Sequence, residues 1–221
     1  MPIDLSRPLA ELVLERPSRA RVLERFGLDY CCGGKRSLAE ACEHRDLEPA
    51  TVAAELEAAA LRPDAERDWG RAPLAELAEH IVRDHHGLLR RELPRLGALL
   101  EKVERAHGAE LPELAELRET FAAMRAELEE HMADEEADVF PSFRDGGPFD
   151  PAEIAELEAE HEATGAALER LRELTGGYDL KRARCNTHRA TIDGLRELEL
   201  DLHRHIHEEN NILFPRAFAA A

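Results

Sequence analysis

The chain has 221 residues, of which 47 are Asp or Glu and 29 are Lys or Arg, giving a formal net charge of −18. A surface this acidic repels phosphate backbones and anionic lipids, so we expect neither nucleic acid nor membranes as partners. No apolar run approaches the roughly 20 residues that span a bilayer. The start, MPIDLSRPLAELVLERP, is charged throughout and lacks the apolar stretch of a signal peptide. We therefore expect a cytoplasmic protein with reduced thiols.

The composition also predicts the fold class. Ala, Leu, Glu and Arg dominate, and the chain has two Tyr and one Trp. This bias favours helices over strands. We predict an all-α protein.

The first region, residues 1–62, contains three short helical patterns: PLAELVLERP, SRARVLERFG and SLAEACEHRDLEPATVAAELEAA. Ser37 and Glu40 have the spacing of a capping box at the start of the third pattern. Because a core of about 60 residues is marginal by itself, we expect this helical domain to dock on another surface or to form a homodimer. The polar stretch after it, residues 63–73, contains Pro and Gly and is predicted to be a linker.

Four long helical patterns follow in residues 74–221. They run approximately over Leu74–His107, Leu111–Asp138, Pro151–Leu174 and Leu180–Phe214. The breaks between them carry the Gly, Pro and Asp that are typical of short loops. Short loops between long amphipathic helices predict an antiparallel four-helix bundle.

A repeat in this second region points to a metal site. The segments EEHMADEEADVFP and HRHIHEENNILFP end the second and fourth patterns, and both read His, three residues, Glu, four residues, Phe-Pro. The first copy supplies His131 and Glu135, and the second supplies His205 and Glu209. His and Glu four residues apart lie on one face of a helix, one turn apart.

The first and third patterns contribute His86 and His161, so four imidazoles and two carboxylates lie at related positions. Imidazole and carboxylate ligands without thiolate suit iron, manganese or zinc. Two bridging carboxylates and two imidazoles per metal would form a dinuclear centre, with room for an oxo or hydroxo bridge and an open position. The alternatives are a mononuclear zinc site, for which six ligands are too many, and a purely structural polar core.

Adjacent His85 and His86 compete for the ligand position in the first pattern. Neighbouring residues differ by about 100° around an α-helix, so we expect only one of them to point inward. His86 shares the phase of the apolar stripe that contains Val82, Leu89 and Leu93, whereas His85 falls beside it. We choose His86.

Metal-bound imidazoles usually need an acceptor for their other ring nitrogen. Glu127 and Asp201 each lie one turn before a predicted ligand, and Glu160 adjoins another. These are the candidate acceptors, and the alternative is that they are solvated surface charges. The remaining histidines apart from His85 are expected at the surface: His44, His80, His107, His188, His203 and His207.

Two sets of motifs resemble those of a known family. LDYCCGGKRSLAEAC, residues 28–42, is similar to the N-terminal signature of the RIC proteins (repair of iron centres), also called the YtfE/ScdA group. EEHMADEEADVFP, EAEHEATG and HIHEENNILFP resemble the hemerythrin-like half of the same proteins. The resemblance covers essentially the whole chain. It implies a di-iron protein of the bacterial cytoplasm that helps restore iron–sulfur clusters damaged by nitric oxide or oxidants.

Position by position, the resemblance implies six iron ligands, with the two carboxylates as bridges. They are His86, His131, Glu135, His161, His205 and Glu209. It also implies that Glu127 and Glu160 line a route to the two iron ions. Oxygen-carrying hemerythrins have a further His one turn after the third-helix ligand, where this chain has Gly165. The missing ligand leaves iron more open and more easily released.

Three functions follow from the resemblance and the residues together. Repair of iron–sulfur clusters by a supply of iron ranks first, with damaged iron–sulfur proteins as partners. A di-iron enzyme that reduces nitric oxide or peroxide ranks second, and a sensor or carrier of oxygen or nitric oxide ranks third. Gly165 argues against an oxygen carrier, and the N-terminal cysteine domain, which such a carrier does not need, favours the first two.

Cys31 and Cys32 are adjacent and are followed by two glycines. Adjacent Cα atoms lie about 3.8 Å apart, below the usual range for an unstrained disulfide, so a bond between these thiols would be readily reduced. A structural turn with buried thiols is one interpretation. A redox pair, or a transient holder of iron or nitric oxide, is the other. A helix start at Ser37 would lower a thiol pKa if it faced the sulfurs, and Cys185 is expected to be a packing residue.

Overall fold

The computed structural model describes residues 2–61, 67, 69–145 and 150–220 of the chain. Within this part of the chain there are helices and turns and no β-strand, apart from an isolated bridge between Pro8 and Ser37. The predicted all-α class is therefore confirmed. None of the helices described is both long enough and apolar enough to cross a lipid bilayer.

The chain divides into two compact units. The first, called here the N-terminal unit, runs up to Leu77 and also contains the segment from His203 onward. The second, the bundle unit, runs from Ala78 to Leu202. Within the predicted linker, residues 63–66 and 68 lie outside the described residues.

Short helices form the N-terminal unit. They are α1 (Leu9–Glu15), α2 (Ala20–Phe26), α3 (Leu38–Glu43), α4 (Pro49–Ala59), the start of α5 (Leu74–His80) and α11 (Phe214–Ala220), with a 3₁₀ turn at Pro17–Arg19. Their shared core includes Leu9, Leu12, Leu23, Leu38 and Leu56, all fully buried. The predicted capping box is present, because Ser37 Oγ accepts from the N–H of Glu40 and the Glu40 carboxylate accepts from the N–H of Ser37. It fixes the point at which the chain leaves the cysteine loop and enters α3.

Four long helices form the bundle unit, as predicted. They are α6 (Gly87–His107), α7 (Glu113–Asp134), α9 (Pro151–Leu174) and α10 (Asn186–Glu208), the last belonging to this unit as far as Leu202. A short α8 (Phe140–Asp145) extends the second helix, and a 3₁₀ turn at Leu180–Arg182 precedes α10. The core of the bundle includes Leu93, Leu128, Leu168, Leu198 and Leu202. The apolar stripes of the sequence are thus the faces that pack together.

Three turns within the long helices are wider than an α-helical turn. They are π-helical and lie at Ile81–His86, Glu135–Val139 and Glu209–Leu213. Pro141 and Pro215 follow the second and third of these turns. A proline has no N–H to donate and its ring crowds the carbonyl four residues earlier, so a wide turn before it lets the helix continue. Wide turns often occur at functional sites, and each of these three contains a predicted metal ligand.

A buried ion pair joins the end of α9 to α10 in the bundle unit. Arg172 and the hydroxyl of Tyr178 both donate to the carboxylate of Glu199, which is 4% exposed. Tyr178 has a left-handed backbone with φ of 60°, directly after Gly176 and Gly177 with φ of 67° and 74°. The turn that ends α9 therefore also aims the phenol inward. Burial, followed by the charge of Glu199, raises the pKa of Tyr178 well above its usual value.

Candidate metal centre

Four of the predicted ligands lie in the bundle unit, and all four are buried. His86 ends the first wide turn, His131 lies on α7, Glu135 begins the second wide turn, and His161 lies on α9. Their exposed fractions are 0%, 4%, 0% and 2% in that order. A carboxylate at this depth needs partners, because an isolated buried charge is strongly destabilising.

The imidazoles of this cluster direct their Nε2 atoms toward the same region. Glu135 Oε2 lies 3.3 Å from His86 Nε2 and 3.4 Å from His131 Nε2. His131 Nε2 lies 2.9 Å from His161 Nε2. Each of His131, Glu135 and His161 offers one ligand atom within 4.8 Å of those of the other two. Because imidazole nitrogen and carboxylate oxygen are ligands for iron, manganese and zinc, these residues fit a metal ion between them.

For two of these imidazoles, a carboxylate outside the cluster lies beside the other ring nitrogen, Nδ1. His131 Nδ1 lies 2.6 Å from Glu160 Oε2. His86 Nδ1 lies 2.7 Å from Glu136 Oε1, and Arg90 donates to the same oxygen at 2.9 Å. A carboxylate that accepts the Nδ1–H fixes the tautomer whose Nε2 lone pair is available to a metal. Two of the predicted ligands are therefore already oriented as metal ligands.

The acceptors match the sequence prediction in part. Glu160 is a predicted acceptor, but Glu136 is not, because it directly follows Glu135 and would point about 100° away from it in a regular α-helix. Glu127 is exposed on α7. Asp201 Oδ1 lies 3.0 Å from Nδ1 of His85, so this carboxylate has an imidazole partner within the bundle unit.

Both histidines of the adjacent pair are buried, which corrects the expectation that only one points inward. His85 is 6% exposed and His86 is 0% exposed. They end a π-helical turn, in which each residue rotates less than in an α-helix, so neighbours lie closer to one face. His86 contacts Glu135, as predicted for the ligand, and His85 turns to Asp201.

The second copy of the repeat lies in the N-terminal unit and has the same local arrangement. His205 is on the last turns of α10 and Glu209 begins the third wide turn. His205 Nε2 lies 2.8 Å from Glu209 Oε1, and the two residues are 1% and 0% exposed. Both copies therefore place an imidazole Nε2 beside a buried carboxylate one turn later.

The histidines that flank His205 are buried, which corrects the expectation that they lie at the surface. His203 and His207 are 8% and 5% exposed. Both rings pack edge-on against Tyr30, with centroid distances of 6.1 Å and 5.3 Å. Burial lowers the pKa of His207 to about 4. These rings lie on a different face of the helix from His205, as the helical spacing predicts. That face is covered by Tyr30 within the N-terminal unit and is therefore not at the surface.

Asp29 organises the cysteine loop. Its Oδ1 accepts the backbone N–H groups of Cys31 and Cys32 at 2.9 Å and 3.1 Å. A Cβ atom at Gly34 would lie 2.5 Å from the carbonyl oxygen of Tyr30, so the second glycine of the motif is required sterically. The loop is a tight turn closed around one carboxylate.

Cys31 and Cys32 are not joined, and their Sγ atoms lie 3.8 Å apart. The Cys31 thiol also donates to Asp29 Oδ1 at 3.1 Å. The hydrogen bond to Cys32, burial and the charge of Asp29 raise the pKa of Cys31 well above its usual value. The lowering of a thiol pKa that would follow if the helix start at Ser37 faced the sulfurs is therefore not the outcome at Cys31. Asn211 Nδ2 donates to the carbonyl oxygen of Cys31 at 3.1 Å and ties the loop to the segment after Glu209.

Comparison with known proteins agrees with these features. Residues 77–217, which include both copies of the repeat, match the family model described as the hemerythrin HHE cation binding domain. Residues 5–60, which include the cysteine loop, match ScdA_N, a domain of unknown function. The chain is 39% identical over 210 residues to the iron-sulfur cluster repair protein YtfE of Pectobacterium carotovorum subsp. carotovorum (strain PC1), with 95% of each chain covered.

The chain belongs to the YtfE family. A second member, the iron-sulfur cluster repair protein YtfE of Escherichia coli O81 (strain ED1a), is 39% identical over 215 residues, which cover 96% of this chain and 97% of the relative. The resemblance indicated by the motifs is thereby confirmed. The hemerythrin HHE match assigns cation binding to the domain that contains the clustered imidazoles and Glu135.

Proposed function

We propose that six residues of this YtfE-family chain bind two iron ions. They are His86, His131, Glu135, His161, His205 and Glu209. The imidazoles are terminal ligands, and the carboxylates of Glu135 and Glu209 bridge the two ions. The observation that carries the proposal is the convergence of three imidazole Nε2 atoms around Glu135, with carboxylates on the opposite nitrogens of His86 and His131.

His205 and Glu209 complete the set by the same reasoning. His205 follows Leu202 by about one turn on α10, and Leu202 packs in the core of the bundle. The two copies of the repeat supply one His–Glu pair each, and His86 and His161 add one imidazole each, so that each ion receives two imidazoles. An oxo or hydroxo bridge fits the remaining shared position. Bound iron supplies redox chemistry and a cation that can be transferred.

The carboxylate that holds His131 is expected to control iron affinity. Glu160→Ala removes the acceptor 2.6 Å from His131 Nδ1, and loss of such a partner typically weakens metal binding by about 10- to 100-fold. Iron affinity is measured by competition with a chelator. Glu162→Ala, an exposed position on the same helix, is the matched control and should bind iron as the parent chain does. Equal affinities of the two variants would contradict the role of Glu160.

The function that this site supports best is repair of iron–sulfur clusters damaged by nitrosative and oxidative stress in the cytoplasm, by a supply of iron. Relatives that carry the name iron-sulfur cluster repair protein align over 95% or more of the chain. Gly165, one turn after His161, adds no second imidazole from the third helix of the bundle. Iron held by fewer protein ligands suits a cation that must leave for a client protein. Iron is then the cargo, and damaged iron–sulfur proteins are the partners.

The cysteine pair is proposed to act in delivery. The hydrogen bond to Cys32, burial and the charge of Asp29 raise the pKa of Cys31 and keep it a neutral thiol, and the neutral thiol is a poor nucleophile and a poor permanent ligand. A transient holder of iron, or a redox pair that restores the site, fits a loop that is hydrogen-bonded to the segment after Glu209. Homodimerisation through the N-terminal unit stays a prediction.

Reduction of nitric oxide or peroxide is the second candidate function, and Gly165 favours it as well. A position without a protein ligand is where a small molecule reaches iron. A sensor or carrier of oxygen or nitric oxide would bind the same position without turnover.

One experiment separates these functions. The chain is loaded with isotopically labelled iron and incubated with an iron–sulfur enzyme inactivated by nitric oxide. Label in the client cluster and recovered activity, without nitrous oxide, are the expected results for iron supply. Catalytic formation of nitrous oxide with the label retained would assign the reductase function instead. If the chain neither transfers label nor forms nitrous oxide, the remaining function is binding without turnover, as in a sensor or carrier.

Two variants sharpen the comparison. Cys31→Ser with Cys32→Ser should bind iron normally and lose only the transfer of label, because neither thiol is among the proposed iron ligands. Glu209→Gln should lose both iron and transfer. If the cysteine variant transfers label at the parent rate, the proposed role of the pair is wrong while the iron site stands.

A further inference from the structure

Cys185 lies far from the proposed iron site and is not a packing residue. It is exposed at the start of α10, and its Sγ atom lies 3.3 Å from Nε2 of His107, the last residue of α6. The expectation from the sequence is therefore wrong at this position. An exposed thiol beside an imidazole is the arrangement by which proteins activate a cysteine nucleophile.

The start of α10 adds to this pairing. The backbone N–H of His188 donates to Cys185 Sγ at 3.4 Å. α10 is 23 residues long, and the N-terminus of a long helix stabilises negative charge. The N–H of His188, followed by the contact with His107, lowers the pKa of Cys185. By contrast, Cys42 is fully buried, and burial raises its pKa.

His107 is itself held in place. Its ring stacks on that of His188, with centroids 6.4 Å apart and planes inclined by 28°. His188 is 5% exposed, contrary to the expectation of a surface residue, and its Nδ1 accepts the backbone N–H of Arg184 at 3.3 Å. The stack restricts the imidazole of His107, and the hydrogen bond from Arg184 holds the His188 ring on which it stacks.

A cavity of about 190 Å³ is lined by Arg184, which precedes Cys185 in the chain, and by His188, whose N–H contacts its thiol. Lys181, Arg182 and Arg184 line it together with His188, whose backbone contacts the thiol, and Glu113 is the acidic residue among its lining. The balance of charge around this cavity is positive in a chain that is otherwise strongly acidic. A ligand that reaches the thiol from this side is therefore favoured if it carries carboxylates.

We propose that Cys185 is a thiol–disulfide exchange site that forms mixed disulfides with low-molecular-weight disulfides bearing carboxylates. The Cys185 thiolate attacks one sulfur of the incoming disulfide, the sulfur–sulfur bond of that molecule breaks, and its other half leaves as a thiolate. One disulfide bond is lost and one is formed, so the exchange needs no further oxidant. His107 and the start of α10 stabilise the attacking thiolate, and the cations of the cavity hold the carboxylates of the incoming group.

The site is separate from the proposed iron centre. About 20 residues of helix, or roughly 30 Å at 1.5 Å per residue, separate His107 from His86 along the bundle. Modification of Cys185 can therefore be followed without reference to iron content or repair activity.

The test uses the full iron-loaded chain and glutathione disulfide as the probe at neutral pH. Modified peptides are quantified by mass spectrometry over time, with the three other cysteines as internal references. Cys185 should react first, and faster than a short unstructured peptide of the same local sequence. His107→Gln should slow the reaction about threefold. Loss of the imidazole raises the pKa of Cys185 and lowers its thiolate fraction, by about tenfold for each pKa unit. The remaining thiolate is more nucleophilic, which partly offsets this loss.

A second variant tests the cavity. Lys181 has an exposed side chain, and Lys181→Gln should slow the reaction of Cys185 with glutathione disulfide roughly twofold at low salt. The same variant should react with neutral hydroxyethyl disulfide at the parent rate. Equal rates for Cys185 and the unstructured peptide would overturn the proposal, as would faster modification of Cys32. A His107→Gln variant that is folded by circular dichroism and reacts at the parent rate would also overturn it. Equal effects of Lys181→Gln on both disulfides would overturn the preference for carboxylates.

Discussion

Glu135→Gln is expected to leave the chain with one iron ion or none. The carboxylate of Glu135 is completely buried, and its Oε2 lies 3.3 Å and 3.4 Å from the Nε2 atoms of His86 and His131. An amide of the same shape carries no charge and cannot bridge two cations as a carboxylate does. The iron retained after desalting is counted by atomic absorption, and the visible absorption of a dinuclear centre is recorded on the same sample.

Thermal unfolding provides a second readout for this variant. A ligand present at about 1,000 times its Kd stabilises the folded state by about 4 kcal/mol, so iron should raise the Tm of the parent chain more than that of Glu135→Gln. Glu130→Gln, an exposed position on α7, is the matched control and should keep its iron. Retention of the full iron content by Glu135→Gln would show that the bridging ligand is assigned incorrectly.

Glu199→Ala is expected to destabilise the bundle core strongly, because it breaks a buried ion pair from one side. It leaves Arg172 and the Tyr178 hydroxyl without their shared acceptor. Breaking a buried pair from one side costs about 3–5 kcal/mol. Because the Arg172 side chain is 24% exposed and retains some water, we expect the lower end, about 3 kcal/mol. Urea unfolding followed by circular dichroism measures the change in free energy of unfolding.

The control for this change is on the same helix. The Glu197 side chain is 63% exposed, so Glu197→Ala should stay within about 0.5 kcal/mol of the parent chain. Replacing both partners, with Arg172→Met and Glu199→Leu, should recover much of the loss, because no charge is then left buried. A loss below about 1 kcal/mol for Glu199→Ala would mean that water replaces the carboxylate.

The sequence predicts the bundle and most of its buried residues because helical periodicity depends only on spacing. Leu89, Leu93 and His86 share a phase in the sequence and are all fully buried in the structure. The repeat similarly predicts that His131 and Glu135 share one face of a helix, since a His–Glu pair one turn apart requires only a helix, and the two side chains are buried together in the structure. These predictions succeed where local geometry determines the result.

Predictions that depend on a departure from regular geometry fail. Glu136 contacts His86, and His85 is buried beside Asp201, at wide turns whose rotation per residue differs from that of an α-helix. The raised pKa of Cys31 depends on its hydrogen bond to Cys32, on burial and on the nearby charge of Asp29, and no spacing rule describes these contacts within the folded loop. The exposure of Cys185 likewise follows from where α10 begins.

The segment from His203 onward is packed with residues from the opposite end of the chain. Arg216 donates to the carbonyl oxygens of Trp69 and Ala72, and Asn211 donates to that of Cys31. The hemerythrin match nevertheless runs without interruption from 77 to 217. The boundary of the inherited domain and the boundary of the folded unit are therefore different. A chain shortened to the hemerythrin match would keep His205 and Glu209 but lose Cys31, Trp69 and Ala72, whose carbonyl oxygens hold the segment that carries this pair.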